Sequence, residues 1–290
     1  MSGSSGAATL AAAKAQPLQS MDEPALAAKA RWLRLQTLEM IGSAGKGHIG
    51  GSYSCMELLV ALYYGGILRF DPARPDWPGR DRLVLSKGHG TLGIYPLLAD
   101  LGYFSLNELG QFTRSGGRLG GHPDNHIPGI ETVTGSLGHG LSVGAGMALA
   151  SKLDEDEQLT VVLLGDGECH EGTVWEAALF ASWHRLRRLV AIVDRNRIGG
   201  TDFLERSMEL NPFEDKWKAF GWDVVTIDGH AFADIFGVLR GLRRRASERP
   251  LVIVANTTKG RGVSFMENVP KWHHGVPKGE QLERARQELS

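Results

Sequence analysis

Cysteine is nearly absent from this sequence, which contains only Cys55 and Cys169 among its 290 residues. Two widely separated cysteines cannot build the disulfide framework of a small secreted domain or a cysteine-rich zinc site. We interpret both as small buried residues with reduced thiols. The sequence is therefore typical of a protein from a reducing compartment, and we expect it in the cytoplasm.

A surplus of charge and a long apolar run are also missing. Lys and Arg number 32 against 33 for Asp and Glu, a formal net charge of −1, so charge favours neither nucleic acid nor an acidic membrane as a partner. No apolar run approaches the roughly 20 residues needed to cross a bilayer. The Ser-, Gly- and Ala-rich start lacks the pattern of a secretory signal. We expect residues 1–22 to be a flexible tail and residues 23–290 to form one domain.

Glycine, by contrast, is abundant, with 38 residues, and its most informative cluster follows an apolar run. Residues 159–164 are apolar and lead into Gly165-Asp166-Gly167; a helical pattern follows, and then a second apolar run over 189–193, just before Asn196. This order predicts a strand, a glycine turn, a helix and a second strand. In open α/β sheets, ligands bind at the carboxyl ends of such strands.

That edge carries the groups that a diphosphate requires. The glycines let a ligand approach the backbone closely, and the start of the following helix favours an anion. Asp166 and Asn196 add oxygen ligands of the kind that Mg²⁺ prefers. The alternative to a diphosphate site is an ordinary glycine turn in which Asp166 caps the next helix. The second strand and Asn196 favour the diphosphate site over this alternative.

The remainder of the chain alternates between strand and helix patterns. Residues 222–227 and 251–257 are predicted strands, and residues 231–245 a predicted helix between them. This alternation predicts an α/β fold with a parallel sheet and helices on both faces. We expect the basic run 243–245 to be a solvated helix end that interacts with the helix dipole, not a nucleic-acid site.

Four histidines stand in separate glycine-containing loops. They are His48, His89, His122 and His139. One or two could be structural, but together they predict an imidazole-lined pocket for proton transfer and for hydrogen bonds to a polyhydroxylated or phosphorylated ligand. A metal cluster of the four is the alternative, which their spacing does not favour.

Taken together, these motifs resemble the N-terminal, diphosphate-binding part of transketolases, over about residues 29–277. The matching segments are 47–48, 86–90, 121–123, 133–140, 165–172, 194–198 and 274–277. The resemblance implies the thiamine diphosphate-binding fold. It also implies transfer of a two-carbon ketol unit from a ketose, or its phosphate, to an aldose, or its phosphate, with thiamine diphosphate and Mg²⁺ as cofactors and the thiamine as electron sink.

The resemblance also implies roles for individual residues. Those that would bind Mg²⁺ are Asp166, Asn196 and, through its carbonyl, Ile198. Those that would contact the rest of the cofactor are His89, Gly135, Leu137, Gly167, Asn196 and His274. Those that would act in catalysis are His48, His122 and His274, as proton carriers, and Glu171, in an acidic network that reaches a partner subunit.

The sequence departs from the family pattern in two respects. His139 stands where the family usually has Gln, a change associated with split, two-subunit members, and it leaves the substrate preference open. The chain also ends before the pyrimidine-binding and C-terminal domains, which in the family carry the glutamate that activates the cofactor and the main arginines for sugar phosphates. The resemblance therefore implies a split enzyme, in which a partner chain supplies those two domains and two copies of each chain assemble.

Two other functions stay open. One is different thiamine chemistry on the same scaffold, either deoxyxylulose phosphate synthesis or transfer from a modified sugar. The other is a non-catalytic subunit that has kept the fold. The intact pair of Asp166 and Asn196 and the full set of histidine loops favour catalysis within a complex.

Overall fold

A single sheet of five parallel strands organises the molecule. The computed structural model describes residues 20–290, so most of the predicted tail lies outside the described residues. The strands are β1 (Arg82–Leu85), β2 (Thr160–Gly165), β3 (Leu189–Arg195), β4 (Asp223–Asp228) and β5 (Leu251–Asn256). Their order across the sheet is β1-β2-β3-β5-β4, with every pair parallel. The predicted α/β fold with a parallel sheet is confirmed.

Helices connect and cover these strands. In chain order they are α1 (Glu23–Ala44), α2 (Ile49–Ser54), α3 (Met56–Tyr64), α4 (Thr91–Asp100), α5 (His139–Leu153), α6 (Gly172–Trp183), α7 (Leu204–Ser207), α8 (Phe213–Ala219), α9 (Phe232–Leu239) and α10 (Glu280–Leu289). The long α1 has clear end signals: the Asp22 side chain accepts a hydrogen bond from the Ala25 amide, and Gly45 ends the helix with φ +70°.

The strands bury apolar side chains on both faces of the sheet. In β2, Val161 and Leu163 belong to a core shared with α1, α3 and α4, whereas Val162 and Leu164 belong to a second core shared with α5 and α6. Burial on both faces explains why the strands are near-continuous apolar runs without alternation. The prediction of helices on both faces is confirmed.

The end of the predicted helix 231–245 was wrong. Helix α9 stops at Leu239, and the arginines that follow are mostly engaged in ion pairs. Arg243 pairs with the fully buried carboxylate of Asp81, and Arg245 donates to Asp223 over 2.6 Å. A buried carboxylate needs a cation, because an unpaired buried charge is strongly destabilising. The expectation of a solvated helix end therefore holds only for exposed Arg244.

The short helix α2 was not predicted, and it positions the site. Its six residues are all buried, and His48 stands immediately before it. A Cβ added to Gly50 would lie 2.8 Å from the Trp272 carbonyl oxygen, so only glycine allows this close approach. The approach brings His48 beside the turn of 3₁₀-helix Pro270–His274.

Candidate active site

The carboxyl edge of the sheet forms an open cavity of about 270 Å³. Loops after β1, β2, β3 and β5 contribute to it, as the topology of open α/β sheets predicts. The predicted site residues that line it are His89, Leu137, Asp166, Gly167, Asn196 and Ile198. Lys87, Lys259 and His273 line it as well, although sequence reasoning gave them no role.

The three residues expected to bind a metal come together in this cavity, and all are buried. The Asp166 carboxylate accepts hydrogen bonds from the amides of Gly167 (2.8 Å) and Arg197 (2.5 Å). The Asn196 side-chain oxygen accepts from the Ile198 amide at 3.1 Å. Burial and the neighbouring Asp194 raise the pKa of Asp166 to about 6.

Beneath the cavity lies a buried ion pair between Lys87 and Asp194. Asp194 also accepts from Ser54 at 2.6 Å and from the Asn196 amide nitrogen at 3.2 Å. Although burial opposes both charges, their mutual attraction raises the pKa of Lys87 and lowers the pKa of Asp194. Asp194 therefore holds the Asn196 side chain in place through this hydrogen bond, and the ion pair links the loop after β1 to the end of β3.

A second lysine, Lys259, reaches the cavity from the loop after β5. Its ammonium donates to the carbonyls of Ile198 (2.8 Å) and Gly199 (2.9 Å) and lies 2.8 Å from Nδ1 of His273. Burial and the positive charge of Lys87 lower the pKa of Lys259 to about 8. The cavity thus holds a cation that an anionic ligand could pair with.

Five imidazoles cluster beside the cavity, with His48 in the middle. Its ring centroid lies 4.5 Å from that of His274, 5.4 Å from those of His89 and His273, and 6.1 Å from that of His122. The structure therefore gathers three of the four glycine-loop histidines and adds the adjacent pair 273–274. The rings of His122 and His274 are the more open ones.

The inner imidazoles are neutral at physiological pH. Burial, with the charges of His274 and His122, lowers the pKa of His48 to about 4. Burial and the positive charge of Lys87 lower the pKa of His89 to about 3. Burial and the positive charge of Lys259 lower the pKa of His273 to about 3 as well. A neutral imidazole offers one donor and one acceptor nitrogen, which suits hydrogen bonding to hydroxyl groups.

The fourth glycine-loop histidine stands apart. His139 is exposed at the start of α5, and its Nδ1 lies 3.0 Å from the Leu137 carbonyl oxygen. Within residues 20–290, no three His, Cys, Asp or Glu side chains form a group able to hold a metal ion. The alternative of a four-histidine metal cluster thus finds no support in the described part of the chain.

The buried acid of the site is Glu168, to which sequence reasoning assigned no role; the part of Glu171 in an acidic network toward a partner subunit stays a prediction. One Glu168 carboxylate oxygen accepts from the Gly138 amide (2.9 Å) and from the Ser86 hydroxyl, and the other accepts from the Gly165 amide (3.0 Å). Burial raises its pKa. Glu171 is exposed at the start of α6 and does not line the cavity. Glu168 therefore ties three loops together, a role that its position just after β2 could have suggested.

Of the two predicted glycines, Gly167 lines the cavity and Gly135 lies outside its lining. Gly135 packs against the His122 ring, with an added Cβ 3.0 Å from that ring. Gly167 donates its amide to Asp166. Both Cys55 and Cys169 are buried and reduced, and burial raises the pKa of both thiols, to about 11 for Cys55.

The sheet and its cationic, imidazole-lined edge define a class of α/β protein that can hold an anionic ligand beside proton-carrying side chains. Comparison with known sequences narrows this class. Residues 26–290 match the family model described as the transketolase thiamine diphosphate-binding domain, and the chain belongs to the transketolase family.

Relatives of similar length are named as transketolase subunits. The chain is 45% identical over 260 residues to an apulose-4-phosphate transketolase subunit of Phocaeicola vulgatus, covering 89% of this chain and 91% of that protein. It is also 45% identical over 240 residues to a 6-deoxy-6-sulfo-D-fructose transketolase subunit of a Clostridium species, covering 82% and 86%. The resemblance to one chain of a split transketolase is confirmed.

Single-chain transketolases are much longer than this chain. Human transketolase is 36% identical, and the match covers 86% of this chain but 39% of that enzyme. The crystal structure of Campylobacter jejuni transketolase superposes with a TM-score of 0.87 at 29% identity, over 93% of this chain and 43% of that one. Within residues 20–290, no helix is both long and apolar enough to cross a bilayer.

Proposed function

We propose that this chain is the cofactor-binding subunit of a split transketolase, which moves a two-carbon ketol unit from a ketose to an aldose. The observation that carries the proposal is the single cavity in which Asp166, Asn196 and Lys259 meet neutral imidazoles. The names of the relatives of equal length, which call them subunits, support a partner chain. We further propose an assembly of two copies of each chain in the cytoplasm.

The cavity suits Mg²⁺ in its donor chemistry. A carboxylate, an amide oxygen and a backbone carbonyl are the hard oxygen ligands that this ion takes. The Ile198 carbonyl already accepts from Lys259, so a cation there competes with the ammonium for that oxygen. Asp166, Asn196 and Ile198 would hold the ion, and Lys259 would pair with a phosphate oxygen.

The histidine cluster supplies the proton chemistry of the proposal. Thiamine diphosphate, when bound, provides the electron sink for breaking the carbon–carbon bond of a ketose. The side chains of His122 and His274 are exposed to solvent, and the ring of His48 lies next to both. A sugar that enters from solvent could therefore place its hydroxyl groups beside these three rings. Each can hold a proton on one ring nitrogen and accept one on the other. Half-buried His89 would donate to the cofactor instead.

We propose a modified ketose as the donor substrate. The two relatives that match at 45% identity are named for apulose 4-phosphate and for 6-deoxy-6-sulfo-D-fructose, both altered sugars. Crystal structures of the Pichia stipitis enzyme, in contrast, hold fructose and xylulose phosphates. Assays with all four ketoses, using this chain and its complementary subunit, would rank them; deoxyxylulose phosphate formation from pyruvate would identify the other thiamine chemistry.

Replacing Asp166 tests the cofactor role directly. Asp166→Ala removes the one carboxylate of the proposed metal set, so retention of thiamine diphosphate should lose its dependence on Mg²⁺. The measurement is calorimetric titration of the cofactor into the two-chain complex, with and without Mg²⁺. Asp76→Ala is the matched control, because Asp76 is an exposed carboxylate that lies outside the cavity. Mg²⁺-dependent binding that is unchanged in Asp166→Ala would remove Asp166 from the metal site.

A further inference from the structure

The chain leaves two neighbouring strands, β3 and β5, toward opposite faces of the sheet. After β3 it leads to α8, whose Phe213 and Trp217 pack in the core shared with α5 and α6. After β5 it leads to Val263 and Met266, which pack in the core shared with α1, α3 and α4. In open α/β sheets, such a divergence between adjacent strands opens a crevice at the carboxyl edge, where ligands bind.

The structure has such a crevice at this point. Its volume is about 710 Å³, within the roughly 300–1,000 Å³ of small-molecule sites. The ends of β3, β4 and β5 and the loops that follow them line it. Among the described residues, it shares only Asn196 with the cavity of the candidate active site. We call it the β3–β5 crevice.

Two arginines of the crevice have guanidinium groups available to an anion. The Arg197 side chain is exposed and makes no hydrogen bond or ion pair with the rest of residues 20–290. The Arg261 guanidinium lies 3.6 Å from the Glu267 carboxylate, which is beyond hydrogen-bond distance. Because a guanidinium binds a phosphate through two parallel N–H bonds, both side chains suit a phosphate group.

Other charges in the crevice restrict where an anion can lie. Arg195 is already paired with the Glu214 carboxylate over 2.6 Å. The exposed carboxylates of Asp228 and Glu205 line the crevice as well, and like charges repel. A ligand that fills the crevice therefore has one anionic end, beside the two available arginines, and an uncharged remainder.

The uncharged remainder meets polar groups at the ends of β4 and β5. Asp228 and Asn256 stand side by side in the parallel register of these strands. The Asp228 carboxylate accepts from the His230 amide at 2.8 Å and keeps lone pairs for further donors. The side-chain oxygen of Asn256 has no hydrogen-bond partner within residues 20–290, which is rare for a buried polar atom. A carboxylate and an amide of this kind suit neighbouring hydroxyl groups.

We infer that the β3–β5 crevice is a second ligand site, which binds a phosphate ester with neighbouring hydroxyl groups. The phosphate lies against Arg197 and Arg261, and the hydroxyl groups bind to Asp228 and Asn256. A free sugar phosphate and a nucleoside monophosphate share this chemistry; the nucleotide also brings a base, which can stack on Phe203 in the crevice wall. The inference does not depend on ketol transfer, because none of these side chains takes part in the proposed function.

The test is calorimetric titration of ribose 5-phosphate, AMP and inorganic phosphate into the full chain. At least one of the two esters should bind, and Arg197→Gln and Arg261→Gln should each weaken its binding about tenfold or more, as expected for a hydrogen bond to a charged group. Arg31→Gln is the matched control, because Arg31 is an exposed arginine on α1, outside the crevice. It should leave the dissociation constant within about twofold of wild type. Inorganic phosphate should bind at least about tenfold more weakly than the ester, since it lacks the hydroxyl groups.

A further variant distinguishes the crevice from the candidate active site. The Lys259 ammonium in that site is a competing cation for a phosphate ester. Lys259→Met removes this cation and leaves the arginines of the crevice in place, so ester binding should persist. Circular dichroism and thermal melting first establish that each variant is folded.

The outcomes separate this inference from the proposed function. Tighter binding of AMP than of ribose 5-phosphate would assign the crevice to nucleotides, and the reverse order would assign it to sugar phosphates. Binding that is lost in Lys259→Met but unchanged in both arginine variants would place the ligand in the candidate active site and overturn the inference. Absence of saturable binding by either ester, or inorganic phosphate that binds as tightly as the ester, would overturn it as well. The proposed function stands in each case, because ketol transfer is a separate measurement.

Discussion

At the scale of single residues, the buried pair of Lys87 and Asp194 carries the largest electrostatic consequence. Both side chains are almost completely shielded from solvent, and removing one partner of such a pair strands the other charge. The pair is held in place by Ser54 and by the Gly51 carbonyl, which accepts from Lys87 at 2.7 Å.

We predict that Lys87→Met lowers the free energy of unfolding by about 3–5 kcal/mol. Adding Asp194→Asn should restore part of this loss, because the stranded charge is then gone. Guanidinium unfolding of the wild type, both single variants and the double variant gives the comparison. A loss below about 1 kcal/mol for Lys87→Met, the value of a surface ion pair, would contradict a buried pair.

The histidine cluster predicts how stability depends on pH. The pKa values of His48, His89 and His273 lie at about 4, 3 and 3 in the folded chain, against about 6.5 when unfolded. Below pH 6.5 the unfolded chain therefore binds more protons, and stability falls as the pH drops toward 4. Above pH 6.5 these groups have no effect.

We predict that His89→Gln makes this loss of stability shallower. Urea midpoints between pH 8 and pH 5 provide the measurement. His126→Gln is the control with the opposite sign: exposed His126 has its pKa raised by Asp124, so it adds stability on acidification, and its removal should not flatten the curve. If the His89→Gln curve runs parallel to wild type, His89 is not held neutral.

Residue roles at this scale were only partly accessible from the sequence. Asp166 and Asn196 could be placed at the sheet edge because each follows a strand. Lys259 also follows a strand, but its ammonium reaches back across the cavity to Ile198, which no spacing reveals. The burial of Glu168 could not be predicted, because it depends on which side chain points inward, and a 3₁₀ turn decides that.

At the scale of elements, helix α5 shows how two glycines in one helix can have opposite meanings. Gly144 faces β2, where an added methyl would press on Val162, whereas Gly146 faces outward. Overpacking a core costs about 1–3 kcal/mol, and replacing an exposed helical glycine by alanine gains about 1 kcal/mol.

We predict that Gly144→Ala destabilises the chain and Gly146→Ala stabilises it, by those amounts. Thermal and urea unfolding of the two variants, side by side, measure the difference. Similar effects of both substitutions would mean that α5 is rotated from the described orientation on the sheet.

Elements were predicted well where they are apolar and long. The strands appear within a residue or two of the runs expected for them, because burial on both faces makes each run continuous. Two elements were not predictable. Helix α2 contains two glycines and forms because tertiary packing buries it. Helix α9 ends at Leu239, and Arg243 beyond it pairs with Asp81, just before β1.

At the scale of the whole molecule, the cavity is small and open to solvent on one side. Its volume of about 270 Å³ is slightly below the roughly 300–1,000 Å³ of usual small-molecule sites, and His122 and His274 are open to solvent beside it. A site of this kind binds weakly until a second surface covers it, because desolvation strengthens the electrostatic contacts inside.

We propose that this chain needs a complementary subunit to bind its cofactor. The most direct measurement is calorimetric titration of thiamine diphosphate with Mg²⁺ into the lone chain and into the chain mixed with its complementary subunit. We predict tight, Mg²⁺-dependent binding in the mixture and weak binding without turnover in the lone chain. Equally tight binding by the lone chain would contradict the split active site, and no binding in either sample would favour a non-catalytic subunit.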